Sequence, residues 1–195
     1  MRPKENKKNI GLILFITVIM IGTTFSFVFY GFSPAPDVRE YDGYKFTYQQ
    51  NGGVWSSKIN GKNVAFSFPP ADVEKIHVND DIAPLLNGKL EIDSTYNLTS
   101  KNAQPIALAQ HQMGILLSTY DMFLRQGFTT NNTYNFPVIT CKDATANVPV
   151  IYFKESRNET RIYIDNNCIV AESSTDSGFL KVKDRILYEM LGVIK

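Results

Sequence analysis

Two histidines, His77 and His111, are the side chains of this 195-residue sequence that could transfer a proton or bind a metal near neutral pH. His77 lies in the run Glu74-x-x-His77-x-x-Asp80-Asp81, whose residue types are able to hold a divalent cation. Asn79 and the aspartates that follow are typical of a solvated loop, so no continuous helix aligns these groups. We therefore expect no metal here, and His77 stays a catalytic candidate only.

His111 is the second catalytic candidate. Ser118 and Arg125 follow it at seven-residue steps, and Asp121 lies near them. Seven residues of a straight helix span about 10 Å, so His111 and Ser118 are too far apart for a hydrogen bond and no Ser-His-Asp geometry arises within one helix. Asp121 and Arg125 are four residues apart, which predicts an ion pair on the helix surface.

The short motifs of common enzyme sites are absent from the sequence. G-x-G-x-x-G, G-x-x-x-x-G-K-[ST], H-E-x-x-H and G-x-S-x-G do not occur. The one compact glycine cluster, Asn51-Gly-Gly53, lies between two predicted strands, where a hairpin turn accounts for it. Nucleotide-binding, zinc-protease and α/β-hydrolase functions are therefore not favoured. We expect no cofactor, and an enzyme is the less favoured class.

Cys141 and Cys168 are the two cysteines, 27 positions apart. This spacing matches neither a redox C-x-x-C nor a zinc site, because no histidine lies near either cysteine. We expect one disulfide, formed in an oxidising compartment. Two free buried thiols and a redox switch are the alternatives.

Three Asn-x-Thr sequons, at Asn97, Asn131 and Asn158, are candidate glycosylation sites. A chain with this content of Asn, Ser and Thr contains roughly two such sequons by chance, so their number does not establish modification. Each lies in a polar stretch that is typical of a loop, where an acceptor has to be.

The sequence from residue 10 to residue 32 is uncharged and mostly apolar. As a helix it is roughly 35 Å long, enough to cross a hydrocarbon core of about 30 Å. Four basic residues precede it and mixed charges follow it, which predicts a cytoplasmic N-terminus. We therefore predict a basic tail at 1–9 and a transmembrane signal anchor at 10–32 that contacts membrane lipid. A cleaved signal peptide is the alternative, although its apolar core is usually shorter.

The rest of the chain divides into a proline-containing linker at 33–42 and one extracytoplasmic domain at 43–195. Residues 33–195 carry 16 basic and 18 acidic side chains. Because proteins that bind nucleic acid through its phosphates need a concentrated basic face, we expect no nucleic-acid partner. The predicted location is the cell membrane, with a single span and the C-terminal domain outside.

Strands and helices are mixed along the predicted domain. Alternating apolar residues predict three antiparallel strands between Tyr44 and Phe68, separated by Asn51-Gly-Gly53 and Asn60-Gly61. Helical periodicity runs from Pro105 to about Arg125. On that helix a second apolar ridge is predicted, which would mark a partner surface if it is exposed: Leu108, Ile115 and Met122.

A short helix at 82–86, a strand at 89–93, four more strands and a final helix complete the prediction. The strands are expected at 136–141, 149–154, 160–165 and 168–172, and the helix begins after 174–177 and ends near Ile194. This order predicts an α/β or α+β fold, with one mixed-sheet sandwich domain and two main helices.

The C-terminal third contains four characteristic segments: Pro137-Val-Ile-Thr-Cys141, Val148-Pro-Val-Ile-Tyr-Phe153, Cys168-Ile-Val-Ala-Glu172 and Asp184-Arg-Ile-Leu-Tyr-x-x-Leu-Gly-Val193. With these segments it resembles small, single-anchored, uncharacterised membrane proteins of archaea. The resemblance implies an archaeal source and a paired cysteine framework, and it implies no catalytic activity.

Together these features predict a single-pass envelope protein that acts as a structural or interaction module with a protein partner. Two alternatives stay open. One is an anchored extracytoplasmic enzyme, such as a hydrolase that uses His111 or His77 with nearby carboxylates. The other is an accessory subunit of a larger membrane complex.

Overall fold

The computed structural model describes residues 7–30, 36–78, 81–157 and 159–194, and within the first helix it describes the side chains of residues 10–25. Most of the predicted tail at 1–9, the start of the predicted linker and Asn158 lie outside the described residues. The chain divides into two compact units, Met1–Pro36 and Asp37–Lys195.

The first unit contains helix α1 (Lys7–Tyr30), whose described side chains are all exposed. Across the described residues, no helix is long and apolar enough to cross a membrane. The predicted span at 10–32 therefore has no support from the structure.

The second unit begins with a four-stranded antiparallel sheet in chain order: β1 (Val38–Tyr41), β2 (Tyr44–Gln49), β3 (Val54–Ile59) and β4 (Lys62–Phe66). The predicted three-stranded meander is confirmed. Asn60 and Gly61 both have positive φ, as a two-residue hairpin turn requires. Asp42 and Gly43 form a second such turn, which adds β1. The prediction of a linker at 33–42 is therefore wrong for Val38–Tyr41.

The second sheet has six strands in the order β5-β9-β10-β8-β6-β7. They are β5 (His77–Val78), β6 (Glu91–Tyr96), β7 (Phe123–Phe128), β8 (Val150–Glu155), β9 (Arg161–Asp165) and β10 (Cys168–Ser173). Strands β10, β8, β6 and β7 are parallel to their neighbours in that order, and β9 pairs antiparallel with β10. The predicted mixed sheet is confirmed, as are the strands after residue 149 and their hairpin at Asn166, whose φ is 57°.

Among its described residues, this unit has three α-helices: α2 (Ala83–Leu86), α3 (Ala103–Thr119) and α4 (Asp176–Met190). Helices α3 and α4 pack on each other and on the six-stranded sheet. Their other side meets the four-stranded sheet, where the rings of Phe46 and Phe66 lie 5.8 and 4.1 Å from that of Tyr188. The helices thus form a layer between two sheets, which explains why α4 is buried on both sides.

Helix α3 ends at Thr119, so the predicted helix to Arg125 is too long. Asp121 takes a left-handed φ of 62°. The N–H of Met122 donates to Leu117 O and that of Asp121 to Ser118 O, the two bonds of a Schellman motif. Glycine is the usual residue at this position, and its absence here removed the signal for the helix end. The chain then continues as β7.

The strand predicted at 136–141 is also wrong. These residues make one isolated parallel bridge, between Phe128 and Val138. Pro137 has no N–H to donate, so only its carbonyl pairs, with the N–H of Phe128. A short 3₁₀ turn, Cys141–Asp143, follows.

Candidate functional site

The two catalytic candidates lie on the surface, far apart in the fold. His77 is on β5, at one edge of the six-stranded sheet, and His111 is on α3, which covers β6 and β7 near the other edge. Both side chains are exposed, and within the described residues neither forms a hydrogen bond or an ion pair. The same part of the chain contains no group of three or more His, Cys, Asp or Glu residues that could hold a metal ion.

The ion pair predicted between Asp121 and Arg125 does not form, because α3 ends at Thr119, before both residues. Instead, the carboxylate oxygen Oδ2 of Asp121 lies 3.3 Å from Nζ of Lys62. Arg125 is on β7, and its Nε and Nη2 each donate to a carboxylate oxygen of Asp93 at 2.7 Å. The Asp93 side chain is 1% exposed, and these hydrogen bonds raise the pKa of Arg125. This pair fastens β7 to β6.

The predicted disulfide is confirmed: Cys141 and Cys168 are joined, with their Cα atoms 5.2 Å apart. Cys168 is fully buried on β10 and packs with Ile139, Val150 and Val170 in a small apolar cluster. The disulfide therefore links the segment after β7 to the face of the six-stranded sheet that is opposite the helices. Asn97 and Asn131 are exposed, as glycosylation acceptors need to be.

A second charged cluster lies on that same sheet face. Glu172 on β10 accepts hydrogen bonds from Lys154 at 2.9 Å and from Arg161 at 2.7 Å. Its side chain is 4% exposed. Burial alone raises the pKa of Glu172, but the hydrogen bonds from the two cations outweigh burial and hold that pKa below its ordinary value.

Buried charges on α4 also have structural partners. Lys183 Nζ lies 2.5 Å from Asp184 Oδ1, as an ion pair without hydrogen-bond alignment, and donates to Gln112 at 3.0 Å. Asp184 Oδ2 accepts from the N–H of Phe68 at 2.8 Å. These contacts connect α4 to α3 and to the chain after β4, so they position the helix layer between its two sheets.

Most of the exposed large apolar side chains of the domain lie on or near β7, and Ile115 on α3 lies beside β4. Val38 apart, they come from α3, from β7 and from the segments that adjoin β7: Leu90, Leu108, Ile115, Phe123, Tyr134, Phe136 and Val138. Leu90 is 80% exposed and Phe123 is 63% exposed. We call these seven residues the β7 edge surface.

Direct contacts connect parts of the β7 edge surface. The N–H of Phe123 donates to Leu90 O at 2.8 Å, and Val138 forms its bridge with Phe128. The ring of Phe128 lies 6.4 Å from that of Tyr134 and 5.5 Å from that of Phe136. Of the predicted second ridge, Leu108 and Ile115 are exposed, whereas Met122 is half-buried beyond the helix end.

The backbone edge of β7 is open over half of its length. Phe123 N–H and Thr129 N–H point to the β6 side, and Phe128 N–H points away from it, to Pro137 O. Alternate residues of a strand point to the same side, so the N–H and C=O groups of Leu124 and Gln126 face outward. No described strand pairs with them. Unpaired strand-edge groups of this kind are a template for pairing with another chain.

A cavity of about 290 Å³ opens beside this edge, between α3, the ends of β6 and β7, and the segment after β7. Its walls include four rings and two amides: Tyr96, Phe128, Tyr134, Phe136, Gln110 and Gln126. Gly127 forms part of the wall, and a Cβ at this position would lie 2.6 Å from Pro137 O. Only glycine therefore lets the segment that follows β7 approach the β7 backbone this closely. These residues come from separate elements, and no sequence motif marks them.

No protein-family model, no curated protein and no solved structure matches this chain. The surfaces described above are therefore the basis on which a function is assigned.

Proposed function

We propose that this protein is a membrane-anchored interaction module of the cell envelope, whose folded domain binds a protein partner through the β7 edge surface. The observation that carries the proposal is the concentration of exposed apolar side chains on α3, β7 and the segments beside β7. Contiguous apolar patches on soluble surfaces mark interaction sites more often than isolated exposed residues do. An accessory subunit of a membrane complex is one form of such a module.

The open backbone edge adds a reason why the partner is a protein. Folded proteins usually protect exposed strand edges, because unpaired N–H and C=O groups recruit other chains. Here the edge beside Leu124 and Gln126 is open, and apolar side chains flank it. A partner segment in an extended conformation could satisfy those groups while it covers the apolar side chains.

The proposed anchor is the segment 10–32, with the N-terminus in the cytoplasm. Its support is the lack of any charged residue over that length and the basic residues before it. Alkaline extraction of native membranes tests the anchor: we expect the protein to stay in the membrane pellet, and its release into the supernatant contradicts the anchor.

The alternative of an anchored enzyme lacks a comparable observation. Such an enzyme needs His77 or His111 to be in contact with a carboxylate and a nucleophile. Both histidines are exposed, and neither lines the cavity beside β7. The interaction module is therefore the function that we put forward.

Size analysis of the full chain after mild detergent extraction from native membranes tests partner binding. We expect the wild-type protein to elute in a complex larger than a single chain with its detergent. Replacing Ile115 and Phe123 together by serine removes apolar area from the β7 edge surface without touching the core, and should release the single chain. Val38→Ser is the matched control, because Val38 is also exposed but lies on the other sheet.

Two results contradict the proposed function. One is elution of the wild-type protein as a single chain, and the other is a complex that survives in the Ile115→Ser, Phe123→Ser variant. Thermal unfolding of each variant confirms that the fold is intact, since serine at these exposed positions should change stability by only about 0.5 kcal/mol.

A further inference from the structure

We infer that the cavity beside β7 receives one aromatic side chain of the partner, a tryptophan or a tyrosine, whose N–H or O–H donates to Gln110. This inference rests on the proposed function and names what the β7 edge surface recognises. It is carried by the size of the cavity, its ring-lined walls, the absence of charge and one fixed polar group.

The size of the cavity fits a single side chain. An enclosed apolar cavity of about 150 Å³ holds benzene, whereas sites for drug-sized molecules run from about 300 to 1,000 Å³. At about 290 Å³, this open cavity has room for a phenol or an indole ring but not for a larger folded element.

The walls suit a planar ring. The rings of Tyr96 and Phe128 meet edge to face at 5.1 Å, and those of Tyr134 and Phe136 lie 6.4 and 5.5 Å from that of Phe128. Aromatic pairs at such separations gain about 0.5–1.5 kcal/mol beyond the burial of their area. Tyr134 and Phe136 are themselves exposed, so an incoming ring would cover apolar surface that now faces solvent.

One polar side chain that lines the cavity, Gln110, is held in place through one atom, while its other polar atom has no partner among the described residues. Gln110 is only 2% exposed, and its Nε2 donates to Ser94 Oγ at 2.8 Å. Within the described residues, nothing donates to its Oε1. Because Gln110 lines the cavity, this oxygen is an acceptor held in place for a donor that enters from outside.

The occupant must also be uncharged. None of the described side chains that line the cavity is charged, so neither a carboxylate nor an ammonium group would find a counter-ion. Burial raises the pKa of Tyr96, and its hydroxyl therefore stays neutral. Tryptophan and tyrosine combine a neutral ring with one donor, and both are enriched among residues that dominate binding energy at protein interfaces.

Side-chain amide NMR of the full chain in detergent, labelled with ¹⁵N in glutamine, tests this inference. The probes are the capped peptides acetyl-Gly-Trp-Gly-amide and acetyl-Gly-Phe-Gly-amide, together with free indole. We expect the Trp peptide to shift the Gln110 and Gln126 signals in a saturable way. Gln112, whose side chain contacts Ser67 and Lys183 away from the cavity, should not shift.

Affinity ratios then test the ring and the hydrogen bond separately. The Phe peptide lacks the donor and should bind about fivefold more weakly, as the loss of one hydrogen bond implies. Phe136→Ala should weaken the Trp peptide by about fivefold or more through lost stacking. Val38→Ala is the matched control, because Val38 is apolar and exposed but lies on the other sheet and outside the cavity, and it should leave the affinity unchanged.

Three results overturn the inference: no shift of Gln110 and Gln126 with the Trp peptide, equal binding of the Trp and Phe peptides, or binding of free indole while the peptide is excluded. The last result would make the cavity a small-molecule site. Each is separable from failure of the proposed function, because the complex detected by size analysis depends on Ile115 and Phe123, which do not line the cavity.

Discussion

Replacing Cys141 and Cys168 together by alanine should lower the free energy of unfolding of the domain by about 3.5 kcal/mol. In the chain-entropy model a disulfide stabilises by restricting the unfolded chain, by about 3 kcal/mol for a loop of 15 residues and 4.7 kcal/mol for a loop of 100. The separation of 27 residues between these cysteines lies between those values. Alanine at both positions avoids a buried unpaired thiol.

Urea unfolding of the full chain, followed by tryptophan fluorescence, measures this change. The single tryptophan, Trp55, is buried on β3. Its fluorescence therefore reports unfolding of the core between the helices and the four-stranded sheet, and not only release of the segment between β7 and Cys141. With a slope of about 2 kcal/mol per molar urea, the midpoint should fall by roughly 1.7 M. Reduced wild-type protein is the control and should unfold at a midpoint close to that of the variant.

Two findings refute this reasoning. A loss below about 1 kcal/mol means that the bond does not restrict the unfolded chain as the model requires. Two thiols that can be alkylated in the unfolded, unreduced protein mean that the bond does not form.

Three other substitutions test the packing beside β7 and the charges on the sheet face. Gly127→Ala should lower the free energy of unfolding by about 1–3 kcal/mol in urea, because the new Cβ would collide with the carbonyl oxygen of Pro137. Gly52→Ala is the control: its Cβ meets only Val54, at an ordinary 3.5 Å, so the free energy of unfolding should change by no more than about 0.5 kcal/mol. Arg125→Met should cost about 2 kcal/mol in the same assay, because the buried Asp93 carboxylate loses two hydrogen bonds, and an unchanged midpoint contradicts that role. Glu172 has a lowered pKa, so its contribution to stability is present above its ordinary value of 4.5 and is lost as the pH falls through the folded value. Glu172→Gln should therefore be less stable at neutral pH and lose less stability on acidification below pH 4.5, and parallel pH profiles for the two proteins contradict this assignment.

The elements that the sequence predicts well are those with a local chemical signal. Asn60-Gly61 predicts its hairpin because both residues accept positive φ, and Asn166 does the same between β9 and β10. Thr175 caps α4 by accepting a hydrogen bond from the N–H of Gly178, as the run at 174–177 suggests. Asp42-Gly43 carries the same turn signal, but strand β1 before it was not predicted because residues 33–42 were assigned to a linker.

The elements that the sequence misses depend on tertiary contacts. Apolar periodicity runs past Thr119 because Phe123 and Leu124 fit a helix face as well as they fit a strand. The end of α3 is set by Asp121 in a left-handed conformation, a position where glycine is the usual signal. Residues 136–141 have β propensity, but Pro137 and the Cys141 tether keep them beside the sheet as a single bridge.

The candidate site was also only partly predictable. Helical spacing identifies Leu108 and Ile115 as a second ridge, and both are exposed. The cavity was missed because Tyr96, Gln110 and Gln126 converge from β6, α3 and β7, three elements whose packing no local spacing encodes. The histidines were catalytic candidates because of their chemistry, but the structure places them apart, both exposed, and neither side chain has a hydrogen-bond partner within the described residues.

Photo-crosslinking in native membranes tests the central claim most directly. The full chain would carry p-benzoylphenylalanine in place of Phe123 on the β7 edge surface, or in place of Val38 on the other sheet as the matched control. We expect irradiation to give a discrete adduct with one partner species from position 123 and none from position 38. No adduct from position 123, or the same set of products from both positions, would contradict an interaction surface at β7.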